Sequence, residues 1–394
     1  MKSLWLNLLK VLIAAALAVW VIHQIEFQDH ISGPREAGAS APAREGRIVG
    51  DWHGDAWTFT AKGGQVFRAE SLPPGWELRP GFFTILAGIR WGFFALSQAL
   101  WVVLLLLVSW RWQILLRAAG VTTHYLNSLR LCFVGYFFNN VLPGLTGGDI
   151  VRAVLVTRGL ETNRAKAAVS VIVDRIIGLF ALVFLAGVVL AVGGRSAARA
   201  RGVEHIDQLA SGVNLFLAAT LLLGGLYLSR RVRRFLHLDA LLAHLPGRNL
   251  LAKIDDAITV YRAHPLALFS CLAISLALQS IGVVAIWVLG KAMGASLTLG
   301  EYFIIVPVVQ TVSSVPLSPA GWGVGEALFG KMFTWFRSSL NLGVALSVAF
   351  RLTQVGYGLL GGLAWILSKE HREGVRAVEA AASVEAVTSM EAEP

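Results

Sequence analysis

The chain has 394 residues, 56% of them hydrophobic and only 15% charged, with a formal net charge of +10. Soluble domains carry nearer a quarter charged residues, so a soluble globular protein is excluded. The excess of Lys and Arg flanks apolar runs, the pattern of cytoplasmic loops under the positive-inside rule, which removes nucleic acid as the partner. Cys132 and Cys271 both lie in apolar segments and the nine His residues show no ligand spacing, so neither a disulfide framework nor a metal site is expected.

Each membrane span needs about 20 apolar residues to cross a core of about 30 Å. Leu4 to Ile25 is one such run, preceded by Lys2. Ala14-Ala15-Ala16-Leu17-Ala18 resembles a signal-peptide cleavage site, but the apolar run continues beyond it, so residues 1–25 are expected to be a retained transmembrane helix. Residues 26–80 are polar and rich in Gly and Pro. Within them Gly46 to Trp52, Asp55 to Ala61 and Gln65 to Glu70 alternate enough to be strands joined by Gly-bearing turns. Three such strands are marginal alone, so the segment is expected to lean on the membrane or on the transmembrane bundle through Trp52, Trp57 and Trp76.

Further apolar runs follow at Phe82–Trp110, Tyr125–Leu142, Ala167–Gly193, Gly212–Leu228, Leu266–Leu289 and Leu342–Leu367. Arg111 to His124 is expected as a cytoplasmic loop, Leu238 to Tyr261 as an amphipathic interfacial stretch, and residues 369–394 as a disordered cytoplasmic tail. Orientation turns on Tyr125–Leu142. If it enters and returns, the arginines at 152, 158 and 164 and the cluster Arg230–Arg234 share the cytoplasmic face, which the charge bias favours over a crossing. The fold predicted is therefore an all-α polytopic membrane protein with about six full spans, two re-entrant hairpins and a small extracytoplasmic β-rich insertion. Residues 81–368 form its main transmembrane domain.

Both predicted hairpins carry a Pro/Gly break with charge. The first runs from Asn139 and Asn140 through Pro143, Gly144, Thr146, Gly147, Gly148 and Asp149 to Arg152. The second runs from Pro316 through Ser318, Pro319, Gly321 and Gly323 to Glu326. Interrupted segments at corresponding places in two halves point to a transport site within an inverted repeat. Laid over one another, the breaks put Arg152 on Glu326, and three extra residues in the second half put Asp174 on Arg351. Charges inside a bilayer must pair or face water; Asp174–Arg351 and Arg152–Glu326 are the simplest pairs. The helix restarting at Gly148 offers N–H groups and a positive dipole end to an anion, although Asp149 and Glu326 occupy those helix starts themselves.

The run Phe137-Phe138-Asn139-Asn140-Val141-Leu142-Pro143-Gly144-Leu145-Thr146-Gly147-Gly148-Asp149-Ile150-Val151-Arg152 resembles the signature of the lysylphosphatidylglycerol synthase/flippase transmembrane family. Asp174-Arg175, the stretch Pro316 to Glu326, and Arg111-Trp112 are similar to other family motifs. The resemblance implies a membrane domain that moves, or helps move, lipids with modified headgroups between leaflets; a bacterial-type inner membrane is the expected location, and the charge bias puts both termini in the cytoplasm. The aminoacyl-transferase domain of some relatives is not expected here, so no enzyme activity and no cofactor is anticipated. From the breaks and the intramembrane charges, the expected substrate-contacting residues are Asn139, Asn140, Thr146, Gly147, Gly148, Asp149, Arg152, Asp174, Arg175, Ser318, Glu326 and Arg351. Membrane lipids are the expected partners, with an envelope enzyme or a second copy of the chain beside them. The alternative function is a non-transporting membrane partner of a lipid-modifying or envelope-biogenesis enzyme, docking through residues 26–80.

Overall fold

The computed structural model describes residues 19, 23, 25–33, 43–54, 56–73, 76–141, 147–158, 160–203, 206–228, 260–261, 263–314 and 323–367. Most of the N-terminal run, the amphipathic stretch, the tail, and the break residues 142–146 and 315–322 with Thr146 and Ser318 lie outside them.

Among the described residues, five antiparallel strands form one sheet: β1 (Asp29–Ser32), β2 (Ala43–Asp51), β3 (Ala56–Ala61), β4 (Val66–Arg68) and β5 (Glu77–Arg79), in the order β4-β3-β2-β1-β5. The three alternating segments do form strands, and β1 and β5 extend the sheet beyond them. Ile31, Ile48, Trp57 and Phe59 fill one face, packed by Phe67, Trp76 and Leu78. Trp52 packs against the helical core as well as the sheet's, as expected of a contact with the bundle, whereas Trp57 and Trp76 pack in the sheet's own core. The Trp52 indole lies against Gly88 and Gly294. His53 Nε2 sits 2.6 Å from the Gly88 carbonyl oxygen, and the Asn341 side chain holds Glu26 by both its N–H and its C=O, each at 3.0 Å. Asp29 closes the sheet onto the first helix: its two carboxylate oxygens accept from the N–H groups of Ile48 at 2.9 Å and Gly81 at 2.8 Å.

The helices described after the sheet are α1 (Phe82–Ala87), α2 (Trp91–Ala118), α3 (Tyr125–Val141), α4 (Gly147–Thr157), α5 (Arg164–Val189), α6 (Arg195–Ala200), α7 (Ile206–Leu228), α8 (Pro265–Ala292), α9 (Leu299–Ser313), α10 (Val324–Trp335) and α11 (Leu340–Ile366). A π-helical turn, Leu190–Gly194, joins α5 to α6. Among the described residues, four helical stretches are long and apolar enough to cross a membrane: Trp91–Ala118, Arg164–Ala200, Pro265–Ala292 and Leu340–Ile366. Proline at the start of α8, and the Thr298–Glu301 capping box opening α9, are the local signals that set those termini. By contrast α3, α4, α9 and α10 have 17, 11, 15 and 12 residues. At about 1.5 Å per residue none of the four reaches the roughly 30 Å of a bilayer core.

Chain direction is fixed by contacts at the helix ends. The α8–α9 junction and the start of α11 lie against the sheet, through Gly294 and Asn341 respectively. The segment joining α4 to α5 instead meets the far end of α2, where Asn163 Nδ2 donates to the Gly120 carbonyl oxygen at 3.3 Å. The α3–α4 pair therefore starts and finishes at the end away from the sheet, and the α9–α10 pair starts and finishes beside it. Backbones touch where the pairs pack. A Cβ on Gly148 would lie 1.8 Å from the Gly135 carbonyl oxygen, and one on Gly361 would lie 1.9 Å from that of Phe133.

Candidate functional site: two buried ion-pair clusters

Asp174, on the buried face of α5, is the centre of the first cluster. Its Oδ1 accepts from Arg111 Nε on α2 at 2.8 Å, and its Oδ2 accepts from Arg152 Nη2 on α4 at 3.1 Å. Arg111 also donates to Ser275 Oγ on α8 at 2.8 Å, so one guanidinium ties three helices. Arg152 lies 4.6 Å from the Trp112 ring centroid, and Trp112 Nε1 in turn donates to Ser170 Oγ at 3.0 Å. A desolvated cation–π contact of this kind is worth on the order of 2 kcal/mol. Asp149 completes the group at 3.8 Å from Arg152 and 3.6 Å from Arg175, charge contacts longer than hydrogen bonds. Three arginines against two aspartates leave the cluster with net positive charge.

The start of α4 is capped from its neighbour. Asn139 Oδ1 on α3 accepts from the Gly148 N–H at 2.9 Å, so Asp149 is released from capping and turns to the arginines. Asn140 hydrogen-bonds within α3, to the Tyr136 carbonyl at 2.9 Å, and faces Gly358 of α11. Gly147 opens α4. Arg175 is half exposed, whereas Arg152 and Asp174 are buried.

The second cluster joins α10 to α11. Glu326 Oε1 accepts from Arg351 Nε and from Ser347 Oγ, and its Oε2 accepts the Gly323 N–H at 2.7 Å. Here the acid does cap its own helix start, as the sequence allows. Gly325 makes room for the guanidinium: a Cβ there would lie 2.7 Å from Arg351 Nη2.

Neither cross-pair expected from the sequence forms. Arg152 pairs with Asp174 and Glu326 pairs with Arg351, each within its own half. The reason is distance along the fold: each helix that follows a break packs directly on the next long helix, α4 on α5 and α10 on α11. Both pairings link the same two aligned positions, with the signs exchanged. Arg111 is a further correction. It sits inside α2, 6% exposed, and not in a loop, because the helix runs on to Ala118. An Arg followed by Trp and then by the helix-forming run Gln113-Ile114-Leu115-Leu116 was the available signal.

These features define a mostly helical multi-pass membrane protein whose two short helix pairs each bury an ion pair against a long span. The chain belongs to the family of the lysylphosphatidylglycerol synthase TM region, whose model matches residues 81–362. It is also similar to UPF0104 membrane protein PH1989 of Pyrococcus horikoshii, at 22% identity over 292 residues, covering 69% of this chain and 85% of that protein. No solved structure matches the chain.

Proposed function

We propose that this protein translocates, or helps translocate, a lipid with a charged headgroup between leaflets, the headgroup contacting the two ion-pair clusters while the acyl tails stay in the bilayer. The observation that carries the reading is incomplete satisfaction of buried charge in the first cluster. Arg152 Nε and Asp149 Oδ2 have no hydrogen-bond partner among the described residues, although both are buried. Half-exposed Arg175 stands beside them. Buried charge is normally fully paired because each bare group costs several kcal/mol. Spare donor and acceptor capacity is what a phosphate-bearing, amine-bearing or zwitterionic headgroup would occupy.

In this reading α3–α4 and α9–α10 are re-entrant hairpins entered from opposite faces, and residues 81–368 form an inverted repeat. Support comes from helix neighbours that recur in matched sets. The contacts α2–α3, α3–α4, α4–α5 and α2–α5 are answered by α8–α9, α9–α10, α10–α11 and α8–α11, and α3–α11 is answered by α9–α5. Asp207, 2.6 Å from Arg199, and Glu301, 2.8 Å from Arg201, offset the arginines that the charge bias leaves on the outer side. The sheet is then extracytoplasmic, in an inner membrane of bacterial type.

The test is lipid flipping in reconstituted vesicles, read by headgroup accessibility. Arg152→Ala and Glu326→Ala should each reduce the rate at least tenfold at equal incorporation. Full rates in both variants would remove the clusters from the transport path.

A further inference from the structure

The sheet precedes the region matched by the family model and carries a feature of its own. An open cleft of about 530 Å³ lies at the junction of β1, β2 and β3, lined by Phe27, Asp29, Arg47, Val49, Thr60 and Lys62 among others. Arg47 stands opposite Thr60 in the β2–β3 register, and the Lys62 N–H bonds the Glu45 carbonyl at 2.9 Å, so Arg47, Thr60 and Lys62 share one face. The other face carries Ile48 and Phe59, also paired, in the apolar core. The hydrophilic face is thus fixed by the pleat and is left uncovered by the core.

The acids around the opening are engaged, whereas its cations are freer. Asp29 spends both oxygens on the N–H groups of Ile48 and Gly81. Lys62 touches Glu45, but with both side chains well exposed, at 64% and 59%, that contact holds it weakly. Arg47 has no partner among the described residues. Two cations and one hydroxyl therefore face the opening, a donor set suited to phosphate oxygens, for which Arg offers a planar fork.

The cleft's level relative to the helices is set by Phe27. Its neighbour Glu26 is clasped by Asn341 in the first turn of α11, and its ring lies 6.4 Å from Phe82 and 5.8 Å from Phe83, centroid to centroid. Phe27, Phe83 and Trp91 are exposed at the place where membrane helices begin. Exposed aromatics at helix ends are the marker of the membrane–water interface.

We infer that this cleft binds the phosphate-bearing headgroup of an anionic lipid from the leaflet on the sheet's side, Arg47 and Lys62 holding the phosphate, Thr60 donating to it, and the tails descending past Phe27 and Phe83. A free phosphate would use the cations and leave the aromatic edge without a role. The inference does not depend on the transport reading, because no residue of the ion-pair clusters takes part.

The experiment uses the full chain in detergent with Gly63→Cys, where a Cβ meets nothing within 4 Å, carrying an environment-sensitive fluorophore next to Lys62. The native cysteines are buried and should not label. Short-chain phosphatidylglycerol should bind at least tenfold more tightly than short-chain phosphatidylcholine. Arg47→Gln with Lys62→Gln should weaken phosphatidylglycerol at least tenfold, Lys62→Arg should retain it, and Thr60→Asp should abolish it while removing neither cation. Inorganic phosphate at the lipid's concentration should displace nothing. Equal affinity for the two lipids, undiminished binding in either the double variant or Thr60→Asp, or displacement by inorganic phosphate would each overturn the assignment.

Discussion

Exchanging the charges of the second cluster tests the position-by-position match between the two halves most directly. Glu326→Gln leaves Arg351, with only 11% of its side chain exposed, beside a neutral amide. Removing one partner of a buried pair typically costs about 3–5 kcal/mol, and Arg351→Gln should cost the same order by stranding the carboxylate. The double variant Glu326→Arg, Arg351→Glu restores a pair in the polarity that Arg152 and Asp174 already show at the aligned positions. It also deletes the bond from the Gly323 N–H to the Glu326 carboxylate. Losing such a cap costs about 0.5–2 kcal/mol. The exchanged protein should therefore sit near 1 kcal/mol below the natural one, well above either single variant.

Thermal unfolding in detergent, followed by tryptophan fluorescence, measures this. At about 2–4 °C per kcal/mol for domains of some 150–250 residues, the single variants should melt about 10 °C lower and the exchange only a few degrees lower. An exchange no more stable than the single variants would refute the equivalence of the two pairs. A charge-free pair of similar volume, Glu326→Leu with Arg351→Met, extends the test. Buried ion pairs replaced by apolar residues are often neutral or stabilising. That variant should stay folded yet lose flipping, separating what the charges do for stability from what they do for transport.

Three further outcomes follow from the same contacts. Asp174→Asn should destabilise more than Arg152→Gln, by about 1 kcal/mol or more in the same melt, because Asp174 serves two arginines whereas its loss of Arg152 still leaves Arg111 at 2.8 Å. Gly361→Ala should cost about 1–3 kcal/mol by forcing α11 off α3; Gly356→Ala, whose Cβ meets nothing within 4 Å, should be neutral or stabilising by up to about 1 kcal/mol. Single cysteines at Glu161 and Lys62 should react with an impermeant maleimide from opposite sides of a vesicle, and one at Ser338 from the Lys62 side. Labelling of Glu161 from the Lys62 side would mean that α3–α4 crosses.

Much of the helical frame was legible because apolar length is a one-dimensional signal. The four long spans and the two charged breaks stand out in the chain without any knowledge of partners. Charge pairing was not legible in the same way: it depends on which helix faces which, and a sequence alignment of two halves says what is equivalent, not what touches. Arg111 was misplaced for a related reason, since an arginine at the end of an apolar run reads as a loop anchor until the helix is seen to continue past it. The strands β1 and β5, with four and three residues, are too short to show alternation; they exist because Asp29 and Asn341 bind their flanks.

The two clusters differ in a way that gives the proposed path a direction of preference. Both hold most of their charge against each other in this conformation, so on the proposed path a headgroup uses the spare capacity of the first cluster or replaces a protein partner. At the second cluster that means separating one acid from one arginine, both otherwise bonded, with a cap and a serine also attached to the acid. At the first cluster an anion can approach net positive charge, meet the free Nε of Arg152 and the half-exposed Arg175, and displace only the long contacts of Asp149. The Asp174 bonds to Arg111 and Arg152 need not break at all. Entry of an anionic group is therefore favoured at the α3–α4 side. On the proposed path the α10–α11 pair, whose acid is also held by the Gly323 N–H and by Ser347, would be the harder of the two to open.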